Sequence, residues 1–303
     1  MCGIAGFVSN TEWNKSSDLT WVDSLLENLE SCCINPDSIE QIVRPIEALM
    51  WRFEDLMSFD LHFELISNPN FKQKITRLSN AIENILDQIT ARDLSGASPD
   101  IIDKIIQDAK DCLWQIRYEV LDNLERSSFL VNESLMSFAS KAQRFTAWSI
   151  ERVLENIDRL EVRGRDSAGI SIQLLVASSR LKTDFSPSMR NLSSWSEKIE
   201  RGVKSSIHLV ELPGDRLIVT FVYKVANLVG RLGDNTSAIR RSIREDSTLW
   251  SISSNVEQIN ILAHTRWASN GIISLPNCHP TDGTLYETDH KETISDTFAL
   301  FVL

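Results

Sequence analysis

The spacing of apolar positions changes twice along this chain. Residues 1–9 are a short apolar run, in which Ile4, Ala5, Phe7 and Val8 alternate with Gly3 and Gly6, and this run reads as a buried strand. Glycine weakens a strand unless backbone or ligand must approach closely, so the two glycines single this segment out. From about residue 10 to residue 145 the spacing becomes helical, and Gly96 is the only glycine. Ile101, Ile105, Ala109, Cys112, Ile116 and Val120 form one stripe, with Ile102, Ile106, Leu113 and Leu124 beside it. Ser98 and Pro99 ahead of Asp100 supply the start of that helix. Further helices are predicted near 19–33, 37–66, 70–92 and 131–161, with breaks at Asn35-Pro36, Asn68-Pro69 and 95–98. The block reads as an array of about four or five helices.

After Leu160 the strand pattern returns. Segments 168–178, 217–222, 259–264 and 298–303 read as strands, and 235–244 as a helix. The serine-rich stretch 179–206 reads as a surface loop with some helix. Strands at both ends, with a long helical block between the first and second, predict an α+β chain.

Composition narrows the function classes. The chain has 303 residues, of which 42% are hydrophobic, enough for a substantial core. A net charge of −11 repels a phosphate backbone and argues against nucleic acid as a partner. Arg240, Arg241 and Arg244 are followed by Glu245 and Asp246 and read as a solvated helix face. No apolar run approaches the ~18–20 residues that span a bilayer, so no membrane partner is expected. No basic segment precedes an apolar one at the N-terminus, so no signal peptide is expected. Cys2, Cys32, Cys33, Cys112 and Cys278 fit neither a zinc spacing nor a disulfide framework, which points to a reducing, cytoplasmic setting. Cys32 and Cys33 read as small helix residues. His264 and His279 have no third ligand at a sensible spacing and read as structural histidines rather than a metal site. No cofactor motif is present.

Cys2 is the candidate nucleophile. The small side chain after the initiator methionine permits removal of Met1, which leaves a thiol and an α-amine on one residue. The thiol titrates near ~8.5 and the amine near ~7.7–8.0, so the amine can accept the thiol proton without a histidine. The strand that follows would hold the terminus, which otherwise frays. Gly3 is expected to let substrate approach the backbone.

The run 2–7, Cys-Gly-Ile-Ala-Gly-Phe, resembles the start of the class II glutamine amidotransferases, a family of N-terminal-nucleophile hydrolases. Residues 161–169, Glu-Val-Arg-Gly-Arg-Asp-Ser-Ala-Gly, resemble the family's Glu-Tyr-Arg-Gly-Tyr-Asp-Ser-Ala-Gly. Residues 264–271, His-Thr-Arg-Trp-Ala-Ser-Asn-Gly, resemble its His-Thr-Arg-Trp-Ala-Thr-His-Gly, and 277–280, Asn-Cys-His-Pro, echo the Asn-Ala-His-Pro that follows. The Arg-Trp-Ala wording is similar to the glutaminase domain of glutamine–fructose-6-phosphate aminotransferases. The resemblance covers 1–9 and 148–303 and leaves 10–147 as an all-α insertion.

The resemblance implies a four-layer α/β/β/α sandwich with antiparallel sheets, incomplete at the C-terminus. It implies that Cys2 attacks the glutamine side-chain amide and releases ammonia. Arg266 would bind the glutamine α-carboxylate, a task suited to a planar fork of donors. Ser269 and Asn270 would line the same pocket, Trp267 would gate the ammonia path, and Arg163 and Asp166 would brace the site. Gly164 and Gly169 would permit tight turns. Arg165 departs from the family tyrosine that faces the partner domain. In the family, the last strand runs into an Asn-Gly pair that supplies the oxyanion hole, so the chain is expected to be part of a longer polypeptide continuing with that pair. A C-terminal sugar-isomerase domain would then use the ammonia on fructose 6-phosphate, and a homodimer of the full-length form is compatible with this. Two alternatives stand beside it: a glutaminase serving another acceptor, and a non-catalytic binding or regulatory module.

Overall fold

The structure, a computed structural model, describes residues 2–9, 18–34, 39–91, 98–131, 139–180, 195–226, 231–267 and 272–281. It divides into two compact units, Asn14–Arg126 and Met1–Trp13 with Ser127–Leu303. The expected strand at 298–303 lies outside the described residues.

Every element among the described residues of the unit Asn14–Arg126 is helical: α1 (Trp21–Ile34), α2 (Ile39–Met50), α3 (Phe53–Leu56), α4 (Phe59–Ser67), α5 (Pro69–Ala91) and α6 (Pro99–Trp114), the last continued by a π-helical stretch, Gln115–Asp122. Helix α7 (Asn123–Leu130) follows. One apolar cluster joins these helices, with Leu29, Leu49, Leu61, Ile75, Leu78, Ile82, Cys112 and Ile116 all fully buried or nearly so. Of the predicted stripe, Ile105 through Val120 is buried and Ile101, in the first turn of α6, is exposed. The single helix expected over 37–66 is three. Its second break is a cap: the Ser58 hydroxyl accepts from the Leu61 N–H at 3.2 Å and starts α4. Pro45 sits inside α2 and cannot donate to the Gln41 carbonyl one turn back. The Cys32 thiol donates to that carbonyl instead, at 3.0 Å. Cys32 is thus a packing residue, as expected; the Cys33 side chain lies outside the description.

The other unit is built on a six-stranded antiparallel sheet in the order β1-β6-β2-β5-β4-β3. Its strands are β1 (Gly3–Ser9), β2 (Ser167–Ala177), β3 (Trp195–Glu200), β4 (Val203–Leu212), β5 (Arg216–Val225) and β6 (Gln258–Arg266). Strands β3 and β4 take up 195–200 and 203–206 of the stretch 179–206 expected to be a loop with some helix, of which 181–194 lies outside the described residues. Arg201 and Gly202 join them with φ of 49° and 80°, the positive pair of a two-residue hairpin turn. Ser205, Ser206 and His208 are polar yet buried, which is why the stretch does not read as strand by hydropathy.

The pairing gives the sheet two chemically different faces. Phe7, Ile261, Ile172 and Phe221 stand level across four strands, as do Ala5, Ala263, Ile170 and Tyr223. This apolar face is covered by helices. Helix α8 (Lys141–Leu160) packs on β1 and β6, and α9 (Asp234–Glu245) on β5, β2 and β4. Phe7 meets Trp148 of α8 edge-on at 5.6 Å between ring centroids. Helix α10 (Ser247–Ser253) packs on α8 and β2, and the Gln143 amide of α8 donates to the Trp250 carbonyl at 2.7 Å. The expected insertion boundary near 147 falls inside α8, a helix that belongs to the sheet unit. No described helix is long and apolar enough to cross a membrane.

Helices α8 and α9 are tied by charge. Arg240 donates to Glu151 at 2.6 Å and to Asp158 at 2.7 Å, and Glu151 has no solvent-exposed surface. The basic cluster is a solvated face only at Arg241: Arg240 is interior to this ion triad, and Arg244 lies over the Phe129 ring at 4.2 Å. Removing one partner leaves a buried charge uncompensated. Glu151→Ala is expected to cost about 3–5 kcal/mol, whereas the double change Glu151→Leu, Arg240→Met should cost much less. Urea unfolding followed by circular dichroism checks both.

Candidate active site

The register of three strands assembles the expected residues at one end of the sheet. Gly3 of β1 pairs with Thr265 of β6, and Thr265 pairs with Ala168 of β2. Cys2 is one residue beyond Gly3, Arg266 and Trp267 are the next residues after Thr265, and Ser167 of β2 pairs with Arg266. The 163–166 segment leads directly into Ser167. Cys2, Arg163, Gly164, Asp166, Arg266 and Trp267 therefore converge on one sheet end from three distant parts of the chain. Ser269 and Asn270 lie outside the described residues.

Tight packing behind this end fixes the register. A Cβ on Gly3 would stand 2.6 Å from Leu160 Cβ of α8 and 3.0 Å from Thr265 Cγ2. Gly3 is thus small in order to pack against α8, not to admit substrate. The Thr265 hydroxyl is fully buried and donates to the Gly164 carbonyl. Gly164 has φ of −167°, extended backbone that any residue adopts, so the expected tight turn is absent there. The turn is made one step earlier, by the 3₁₀ helix Glu161–Arg163.

Bracing comes from Asp166 and from groups on α9 that the sequence pattern does not name. The Asp166 backbone N–H donates to the Arg266 carbonyl at 3.0 Å. The Gly233 N–H donates to the buried Glu161 carboxylate, and the Asn235 amide donates to the Arg165 carbonyl at 2.8 Å. Burial raises the Glu161 pKa against these bonds. The Thr236 hydroxyl donates to Asp158. The N-terminal turn of α9 thus holds the 161–166 segment. The Glu161 that opens the motif was the available signal, since a carboxylate beside a strand entry needs donors. Arg163 is exposed at the end of the turn.

The surroundings of the reactive groups differ sharply. Cys2 is exposed, whereas Cys32, Cys112 and Cys278 are buried. Burial raises the thiol pKa of Cys32 and Cys278, and pushes Cys112 up to about 12. Trp267 is 49% exposed, a surface ring at the mouth of the site rather than a core residue. Arg266 donates through Nη1 to the Asn277 carbonyl at 2.7 Å. The His264 and His279 rings meet at a tilt of 48°, with centroids 4.8 Å apart. A Cβ on Gly169 would run into the His279 carbonyl oxygen, so Gly169 is a seat within β2 and not a turn. A groove of about 650 Å³ on the same sheet lies at the far end of the strands, lined by Val8, Gln173, Leu175, Ile218 and Asn260, and holds none of the expected residues.

No family model, curated protein or solved structure matches this chain.

The cysteine environments make a kinetic prediction. At neutral pH iodoacetamide should alkylate Cys2 at least about tenfold faster than Cys32, Cys112 or Cys278. Peptide mass spectrometry over time reads this directly, and early alkylation of Cys278 would contradict its burial.

The histidine pair makes a thermodynamic one. Burial, His279 and Arg266 lower the His264 pKa from 6.5 to about 4. Protonation is easier in the unfolded chain, so this group leaves stability unchanged above pH 6.5 and lowers it as the pH falls from 6.5 towards 4. Urea midpoints at pH 7, 5.5 and 4.5 should decline, and His264→Gln should flatten that decline.

Proposed function

We propose that the chain is an N-terminal-cysteine glutaminase that hydrolyses glutamine to glutamate and ammonia. The observation that carries this reading is the convergence of Cys2, Arg266, Trp267 and the 163–166 segment at one sheet end, through pairing that the motifs themselves do not encode. In this reading the Cys2 thiol adds to the side-chain amide carbon, and its proton passes to the α-amine freed by removal of Met1. The C–N bond then breaks, the amine returns the proton to the leaving ammonia, and a glutamyl thioester remains. Water cleaves that thioester and restores the thiol. Arg266 binds the α-carboxylate through its guanidinium, a charge-assisted pairing favoured by the planar fork. In this reading the exposed Trp267 ring gates the ammonia path.

The same reading favours the four-layer sandwich. The helices cover one face of the sheet, and the opposite face carries Ile4, 58% exposed, and Val8, 77% exposed. A second sheet would cover such a surface. The ammonia acceptor in this reading is fructose 6-phosphate, bound by a sugar-isomerase domain C-terminal to Leu303.

The test uses the chain with Met1 removal verified by intact mass. Glutamate release should be lost by at least about 10³-fold in Cys2→Ala. Glutamine should also slow alkylation of Cys2 in the unaltered chain. Equal glutamate release by the two chains, or no protection of Cys2 by glutamine, rejects the reading.

A further inference from the structure

Arg266 does not reach the site as an isolated side chain; a separate turn holds it. Its Nη1 donates to the Asn277 carbonyl at 2.7 Å. The turn that presents this carbonyl is closed on itself: the Asn277 N–H donates to the Ser274 carbonyl at 3.1 Å, the Cys278 N–H donates to the Leu275 carbonyl at 3.2 Å, and the Asn277 amide donates to the Ile272 carbonyl at 3.2 Å. It is also fastened to the sheet at three places. The Cys278 thiol, 1% exposed, donates towards the Ala168 carbonyl at 3.3 Å. The His279 carbonyl occupies the space that a side chain on Gly169 would fill. The His279 ring packs at a tilt against His264, two residues before Arg266 on β6 and directly opposite Gly169 in the pairing.

These contacts have a common effect. Gly169, His264 and Arg266 lie on the same sheet face, and the turn spans from the first to the last. Arg266 offers several N–H donors in a rigid plane, so a carbonyl taking one of them sets the direction of the others. A carboxylate is recognised bidentately only when that plane is already oriented. His279 Nδ1 is buried with no hydrogen-bond partner among the described residues, so its ring is placed by packing rather than by a polar bond.

We propose that the 277–280 turn, seated on Gly169 and packed through His279 against His264, is the positioning element that aims Arg266 at the α-carboxylate of the substrate. Gly169 and His279 are positioning residues in this role, and neither touches the substrate. The proposal rests on the glutaminase reading and adds to it the source of carboxylate selectivity.

The experiment compares protection of Cys2 from iodoacetamide by L-glutamine and by its α-carboxamide, which lacks the carboxylate charge. The unaltered chain should prefer glutamine by about tenfold or more, in line with a charge-assisted hydrogen bond. Gly169→Ala should raise the half-protecting concentration of glutamine about tenfold and leave that of the carboxamide unchanged. His279→Ala, which removes the ring but keeps the turn backbone, should shift the preference the same way and serves where Gly169→Ala does not fold. A merely structural role would weaken protection by both compounds alike. A preference that survives intact in His279→Ala and in a folded Gly169→Ala overturns the positioning role and leaves the glutaminase reading standing. Absence of any protection in the unaltered chain overturns both.

Discussion

Everything at the candidate site depends on the register of β1 against β6 and of β6 against β2. Side chains alternate faces with a period of two, so a slip by one residue would send Arg266 into the helix-covered core and Thr265 out of it. The register is fixed by volume at one layer. Gly3, Thr265 and Ala168 stand level across the three strands, and Leu160 of α8 closes over Gly3 with no room for a Cβ. The Thr265 hydroxyl adds a polar lock by donating to the Gly164 carbonyl. A free N-terminus would fray without such a lock, because strand edges carry little burial of their own.

The same layer explains why the charge network behind the sheet matters to the front. Leu160 is placed by α8, and α8 is tied to α9 through Arg240, Glu151 and Asp158. Helix α9 in turn supplies Gly233 and Asn235 to hold the 161–166 segment. Helix position, strand entry and N-terminal position are therefore coupled through contiguous contacts. The buried charges contribute orientation more than net stability, because the desolvation of Glu151 offsets much of its attraction to Arg240.

How much of this could be read from the chain follows from which groups do the work. The apolar stripes of α1, α5 and α6 and the strands β2, β5 and β6 are written in side-chain spacing, and they form within a few residues of where that spacing puts them. The hairpin β3–β4 was not readable in that way, because Ser205, Ser206 and His208 are polar and buried, while its turn signal, Arg201-Gly202, is a short one. The division of 37–66 was marked by Ser58, an N-cap inside an otherwise helical pattern. The motif residues were readable as a set, but their roles were not. Gly3, Gly164 and Gly169 suggested turns and substrate access, yet Gly3 and Gly169 are small because Leu160 and the His279 carbonyl press against them. A glycine's neighbours lie elsewhere in the chain, and no local pattern names them. Arg240 looked like a surface charge because its two carboxylates are on another helix.

The placement of chemistry on this sheet has a physical reason. One face is filled by Phe7, Ile261, Ile172 and Phe221 and sealed by helices, so an ionised group there would meet a desolvation cost with no partner. The opposite face already carries His264, Lys224, Asn260 and Gln173, interleaved with apolar residues. Arg266 shares that face through strand parity, and Cys2 lies one residue before Gly3 at the same end of the sheet. The exposed Cys2 thiol and the Arg266 guanidinium avoid that desolvation cost. The turn at 277–280 then gives this flat surface depth. It fills the space above Gly169 and, through the Asn277 carbonyl, fixes one N–H of the Arg266 guanidinium beside it.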